Sequence, residues 1–168
     1  LSELQPRFYV VMGVSGCGKT TVGQAVAAQL NCPFYDADDF HPQENIAKMA
    51  SGVPLDDDDR APWLARLAGL IADHLARGET AVLACSALKR RYREQLRGEN
   101  GRVQFLYLRG DFDTIWQRMQ ARPGHYMKAE MLQSQFDALE EPSQEEAAWI
   151  DISETVSRIV DAVLLSQT

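Results

Sequence analysis

The chain has 168 residues, 45% hydrophobic and 24% charged, which are the proportions of one folded domain and exclude a disordered, collagenous or disulfide-stapled chain. A formal net charge of -7 lacks the positive excess that phosphate-rich partners require, which argues against nucleic acid or an anionic membrane surface as a partner. The three cysteines, Cys17, Cys32 and Cys85, form no CxxC pair, so neither a disulfide framework nor a zinc site is readable and a reducing compartment fits.

The opening LSELQPRF has no basic region leading into a long apolar run, and no stretch approaches the ~18 apolar residues of a membrane span, so a cytoplasmic protein is expected. Phe8 to Val14 is a short bulky run suited to a buried strand, and Lys19 to Leu30 follows as a helix with Val22, Val26, Ala27 and Leu30 on one side. Phe34 and Tyr35 lead a second strand that ends in Asp36. His41 to Ala50 reads as a short helix, Val53 to Arg60 as loop, and Pro62 as the start of a long helix with Trp63, Leu64, Leu67, Leu70, Ile71 and Leu75 in its stripe and Gly78 beyond its end. Ala81 to Cys85 is a third strand, Leu88 to Arg97 a basic helix and Val103 to Leu108 a fourth strand. Asp111 caps a helix carrying Phe112, Ile115, Trp116 and Met119, which breaks at Arg122 to Lys128. Met131 to Leu139 is helical, Glu140 to Glu146 is loop, Ala147 to Ile152 is a fifth strand and Ser153 caps the last helix. Strands alternating with helices predict an α/β fold with a five-stranded parallel sheet flanked by helices.

GVSGCGKT, Gly13 to Thr20, satisfies G-x-x-x-x-G-K-[ST] where that motif must lie, after a buried strand and at a helix start. Gly13, Val14, Ser15, Gly16, Cys17, Gly18, Lys19, Thr20 and Thr21 are therefore expected to cradle an anionic polyphosphate with backbone N–H groups and the positive helix end. Lys19 adds a charge for the outer phosphates and the Thr20 hydroxyl a magnesium ligand, so ATP and Mg2+ are the expected cofactors. Cys17 sits near a helix N-terminus, where a thiol's pKa can fall, but it is read as a small residue in a variable position with no chemistry of its own.

No N-K-x-D segment is present, which argues against a GTPase, and AVLAC is followed by Ser86 rather than by the Asp usual in motor and transporter ATPases. FYDAD supplies carboxylates instead, with Asp36 and Asp38 two apart and so on one side of an extended chain at the carboxyl edge of the sheet. One would order the metal's shell and the other would meet an attacking hydroxyl. A lid with arginines should complete a small-metabolite kinase, and Arg118 and Arg122, four apart before Pro123, fit its root, with His125 and Lys128 continuing it. For Arg118 a solvated helix face serves equally well. The run Asp56 to Asp59 reads as a solvated turn before a helix, Arg90, Arg91, Arg93 and Arg97 as a mostly solvated basic face, His41 as a loop-fixing residue and His74 as a packed surface histidine.

Over nearly its whole length, the chain resembles the bacterial gluconate kinases of the thermoresistant gluconokinase type, relatives of shikimate kinase among the small P-loop kinases. The resemblance rests on GVSGCGKT, FYDADDFHP, NIAKMASGVPLDDDDRAPWL, CSALKRRYREQLR, FLYLRGDF and ARPGHYMKAEMLQSQFDALEEP. It implies one P-loop kinase domain over residues 1–168 with a lid near 122–140, transferring phosphate from ATP to D-gluconate to give 6-phospho-D-gluconate in carbohydrate metabolism. By similarity Asp36 joins Thr20 in the magnesium shell, while Asp38 faces the sugar acid and, with Lys19 and Arg122, carries catalysis. Arg60 falls where the relative binds a carboxylate, Ser86 and Lys89 lie at the same sheet edge, and Arg118 would stack on adenine. A homodimer is compatible with the resemblance, although no exposed apolar stripe compels one. The alternatives are another small-metabolite or nucleoside monophosphate kinase of this fold and a non-catalytic ATP-binding switch module.

Overall fold

A computed structural model describes residues 5–123 and 128–165. Its five strands are β1 (Phe8–Met12), β2 (Phe34–Asp36), β3 (Ala81–Ala84), β4 (Val103–Arg109) and β5 (Ala147–Asp151). All pair in parallel in the order β2-β3-β1-β4-β5. The helices are α1 (Lys19–Leu30), α2 (Gln43–Ala50), α3 (Asp57–Ala76), α4 (Arg90–Arg97), α5 (Phe112–Ala121), α6 (Ala129–Ala138) and α7 (Val156–Leu165). The expected α/β architecture is therefore the observed one.

The bulky run of β1 is central because every residue in it is buried, with β3 on one edge and β4 on the other. Alternation along the strand sends Phe8, Val10 and Met12 to one face, where Leu64, Leu67 and Ile71 of α3 and Leu96 of α4 pack. Tyr9 and Val11 enter the other face with Val22 and Val26 of α1, Ile115 of α5, Leu132 of α6 and Ile159 of α7. Each fully buried side chain of this size contributes roughly 1.5 to 3 kcal/mol. The two packed faces hold β1 in place, and its C-terminal end delivers the glycine loop to the sheet edge where the strand order reverses.

Several expected boundaries move, each for a local reason. Helix α3 begins at Asp57, not at Pro62, because Asp56 accepts the Asp59 N–H while the Asp59 carboxylate accepts the Asp56 N–H. That capping box turns the expected Val53 to Arg60 loop into a helix start from Asp57, and Pro62 sits inside the helix without an N–H to give. At α7 the cap is Thr155 rather than Ser153, since the Thr155 hydroxyl accepts the Arg158 N–H and its carbonyl the Ile159 N–H. Arg93 is not on a solvated face: it is 1% exposed, pairs with Glu146 at 2.6 Å and donates to the carbonyls of Ala87 and Glu140. His74 is likewise no surface residue, being 2% exposed with Nε2 at 2.9 Å from the Tyr35 hydroxyl.

Candidate active site

The glycine loop between β1 and α1 needs two of its glycines for different reasons. Gly13 has φ 147°, and a Cβ there would lie 2.7 Å from Cys17 Sγ and 2.9 Å from the Leu108 carbonyl oxygen. Gly16 has φ 80°, and its Cβ would meet Met119 Cγ at 2.5 Å, so the loop is pressed against α5. Lys19 Nζ donates to the carbonyls of Gly13 and Val14 at 3.1 and 3.0 Å, which folds the ammonium back across the loop mouth. The Gly13 N–H donates to the Ser86 carbonyl at 3.2 Å and ties the loop to the end of β3. Cys17 is buried beneath the loop, and that burial pushes its thiol up, overriding the opposing pull of Lys19. A helix start alone does not activate this thiol.

A cavity of about 280 Å³ opens above the loop. Ser15, Gly16, Gly18, Lys19, Thr20 and Thr21 line it from the loop and the start of α1. Asp36, Asp38 and Trp63 line it too, with Ala84, Cys85 and Ser86 from the end of β3 and Met119 and Arg122 from α5 and its cap. Beyond Arg122 lies a second cavity of about 230 Å³, bounded by Cys17, Gly18 and Thr21, by Ile152, Val156 and Ile159, and by Arg118. Arg118 donates to the Ile152 carbonyl at 2.7 Å, which fixes its guanidinium on that wall. Arg122 lines both cavities from the C-terminal end of α5. His125, expected in the lid, lies outside the described residues, and Lys128 precedes the first turn of α6.

Asp36 and Asp38 reach the cavity by a different route from the expected extended chain. Ala37–Phe40 is a 3₁₀ turn, and the Asp36 carboxylate accepts the Asp38 N–H at 3.0 Å to start it. Asp36 thus spends one oxygen on the turn that carries Asp38. Asp38 lines the cavity, and partial burial together with the Asp36 carboxylate raises its pKa against the opposing influence of His41 and Lys19. Trp63, 8% exposed, donates its indole N–H to the Ala37 carbonyl at 2.7 Å and stacks on His41 at 4.4 Å between ring centres. His41 sits 3.2 Å by Nδ1 from Asn45 Nδ2, and its pKa is lowered by burial. Reading Trp63 only as part of an apolar stripe misses this role; the signal available was its N–H, which a buried indole must place.

Arg60 and Lys89 line neither cavity. Arg60 stands in the first turns of α3, donating to the Tyr92 hydroxyl at 3.3 Å and lying 3.8 Å from Asp57 Oδ1. Lys89 lies 6.0 Å from the Tyr92 ring centre and borders a groove with Arg90, Arg91, Glu94 and Glu140. Tyr92 is the hub: its hydroxyl donates to Asp57 at 2.6 Å, and Asp57, also paired with Arg91, is held below its ordinary pKa first by that hydroxyl. Ser86 and Lys89 are joined by a loop in which Ala87 takes φ 46°, a conformation held by Arg93 through the Ala87 carbonyl at 2.8 Å.

No described group of three or more His, Cys, Asp or Glu side chains converges on a metal position. Thr20 and two carboxylates, Asp36 and Asp38, line one cavity, and oxygens of this kind fit a hard cation that would take one or two of them and complete its shell with phosphate and water.

The shikimate kinase family model matches residues 15–164. The chain is 46% identical over 155 residues to the thermosensitive gluconokinase of Escherichia coli (strain K12), covering 91% of this chain and 83% of that one. It is 48% identical over 143 residues to the gluconokinase of Gluconobacter oxydans (strain 621H), covering 85% and 80%. A crystal structure of a gluconokinase from Sinorhizobium meliloti 1021 superposes with a TM-score of 0.87 at 41% identity, over 98% of this chain and 93% of that one.

Proposed function

This chain belongs to the gluconokinase family, within the group described by the shikimate kinase model, and from that premise we propose that it transfers the γ-phosphoryl group of ATP to the 6-hydroxyl of D-gluconate, giving 6-phospho-D-gluconate. It is then a phosphotransferase with an alcohol acceptor. The observation that carries the reading is the meeting, around one cavity, of the glycine loop with Lys19, the Asp36–Asp38 turn and Arg122. Phosphoryl transfer needs little covalent chemistry from the protein; it needs aligned reactants and charge placed where charge develops.

Lys19, now satisfied by two loop carbonyls, exchanges them for the outer phosphates of ATP, while the loop N–H groups hold the rest of the chain of phosphates. The adenine ring occupies the second cavity with Arg118 against its face. Thr20 and Asp36 hold magnesium, which when bound neutralises phosphate charge. Asp38 accepts the proton of the attacking hydroxyl, a role suited by a raised pKa. Arg122, placed between the two cavities, meets the charge spreading over the transferred group. Ser86 contacts the polyol from within the cavity, while Arg60 and Lys89, which stand outside it beside Tyr92, would meet the gluconate carboxylate and polyol where the acceptor extends toward them. We read residues 1–168 as one kinase domain, with a lid near residues 122–140. The three free thiols and the use of ATP suit a cytoplasmic setting.

An acceptor screen tests the reading. ATP consumption should rise steadily on adding gluconate and stay at background with shikimate or nucleoside monophosphates; turnover with either of the latter in preference to gluconate contradicts it.

A further inference from the structure

Gln135 lies on α6, 120 residues from the glycine loop in sequence, and yet makes two hydrogen bonds to one residue of that loop. Its Oε1 accepts the Ser15 N–H at 2.6 Å, and its Nε2 donates to Ser15 Oγ at 2.8 Å. The amide orientation is dictated by chemistry: a backbone N–H can only donate, so the oxygen must face it and the NH2 must face the hydroxyl. Ser15 lines the same cavity as Lys19, Asp38 and Arg122, so this contact acts on the cavity-facing part of the loop.

Just beyond the C-terminal end of the same helix the chain reaches the acceptor side. Just past α6, the Glu140 N–H donates to the Leu88 carbonyl at 2.8 Å, and the Glu140 carboxylate accepts the Arg90 N–H at 2.9 Å. Leu88 and Arg90 flank Lys89 in the segment that follows Ser86. The helix itself is anchored by buried Leu132 and by Phe136 against Phe112 of α5, at 5.8 Å between ring centres. The last turn of one short helix and the residues just past it therefore grip the phosphate loop with Gln135 and the β3–α4 segment with Glu140.

We infer that Gln135 is a positioning residue for phosphoryl transfer: by its paired hydrogen bonds it sets the Ser15 peptide of the phosphate loop and couples that loop, through α6 and Glu140, to the acceptor-side segment. This rests on the kinase reading above but does not depend on which acceptor is used. A loop of glycines is conformationally free unless something outside it fixes the peptide planes, and Gln135 is such a fixture.

The test uses Gln135→Met, which keeps length and removes both bonds, Gln135→Glu, which keeps acceptors but faces a carboxylate toward the phosphates, and Ser15→Ala alone and combined with Gln135→Met. Affinity for adenylyl imidodiphosphate is measured by calorimetry, kcat and KM with gluconate, and melting temperature on the same samples. Gln135→Met should raise the ATP KM and lower kcat, each by about tenfold, with the gluconate KM within about twofold of wild type. Gln135→Glu should melt near wild type and bind the nucleotide at least as weakly as Gln135→Met. Ser15→Ala should cost clearly less in the Gln135→Met background than in wild type, the non-additivity expected of two residues acting as one unit. A lower melting temperature with unchanged nucleotide affinity and kcat would make Gln135 a structural tether and overturn the inference, as would wild-type affinity in Gln135→Glu or strict additivity with Ser15→Ala. If the wild-type protein fails to phosphorylate gluconate, the functional reading fails while the nucleotide-affinity arm still decides the role of Gln135.

Discussion

The nucleotide side and the acceptor side of this site are built on opposite plans. On the first, the proposed binding groups are nine consecutive residues from Gly13 to Thr21, mostly backbone groups whose direction is set by two constrained glycines and a helix start. On the second, the groups come from the end of β2, a 3₁₀ turn, the start of α3 and the β3–α4 segment, and side chains carry the specificity. The contiguous backbone device is braced from outside at Ser15 by Gln135, whereas the assembled one needs several braces. The braces are visible: Trp63 on Ala37, Arg93 on Ala87 and Tyr92 between Arg60 and Asp57.

The largest effect should come from the nucleotide side. Lys19→Ala removes the only side-chain charge inside the loop and should cut turnover on the order of 10³-fold while far-UV circular dichroism and melting stay as in wild type, because the ammonium contacts loop carbonyls and no core. Turnover near wild type would detach the loop from catalysis. On the acceptor side the corresponding loss should be of stability. Arg93→Ala strands Glu146 and two carbonyls and should destabilise by about 3 to 5 kcal/mol, the range for breaking a buried ion pair. Denaturant unfolding measures it, and a cost below about 1 kcal/mol would show that the β3–α4 segment needs no such brace.

Asp38→Asn keeps shape and should lower kcat by about 10²-fold. In wild type the acid limb of the kcat profile should lie above that of an unperturbed aspartate, since burial and Asp36 raise the Asp38 pKa, and this limb should vanish in the variant. The same shift sets a sign for stability. The folded protein holds the Asp38 proton to higher pH than the unfolded chain, so stability falls as pH rises through the interval between the two pKa values. Asparagine escapes that loss, and Asp38→Asn should melt higher than wild type at neutral pH although it is nearly inactive. A lower melting temperature would mean that the carboxylate stabilises its turn.

The smallest effect separates specificity from chemistry. Arg60→Ala should raise the gluconate KM by roughly 10- to 100-fold, a lost charge-assisted pair of about 1.5 to 3 kcal/mol, and barely alter kinetics with a neutral polyol lacking the carboxylate. Equal penalties for both acceptors would show that Arg60 does not read the carboxylate.

The same contrast explains what was legible in the sequence. The strand of Phe8 to Met12, the helix of Lys19 to Leu30 and the loop between them follow from periodicity and one motif because every determinant is local. The α3 start was missed because Pro62 is a strong start signal and the Asp56–Asp59 capping box, a weaker one, lay inside an acidic run. Asp36 and Asp38 were placed at the correct edge by a wrong geometry, since the Asx turn that joins them is invisible to a period of two. Arg93 looked solvated because its partners, Glu146 and the Glu140 carbonyl, are about fifty residues away in sequence. Gln135 gave no signal at all: its partner lies across the fold, and a helical glutamine is ordinary.

Product identification tests the central claim most directly. With wild-type protein, ATP and gluconate, phosphorus NMR coupled to proton assignment should find one phosphate monoester per ADP formed, on the terminal CH2 of gluconate. ADP with free inorganic phosphate and unmodified gluconate would contradict the account, because the nucleotide side would then work without the acceptor side it is proposed to serve.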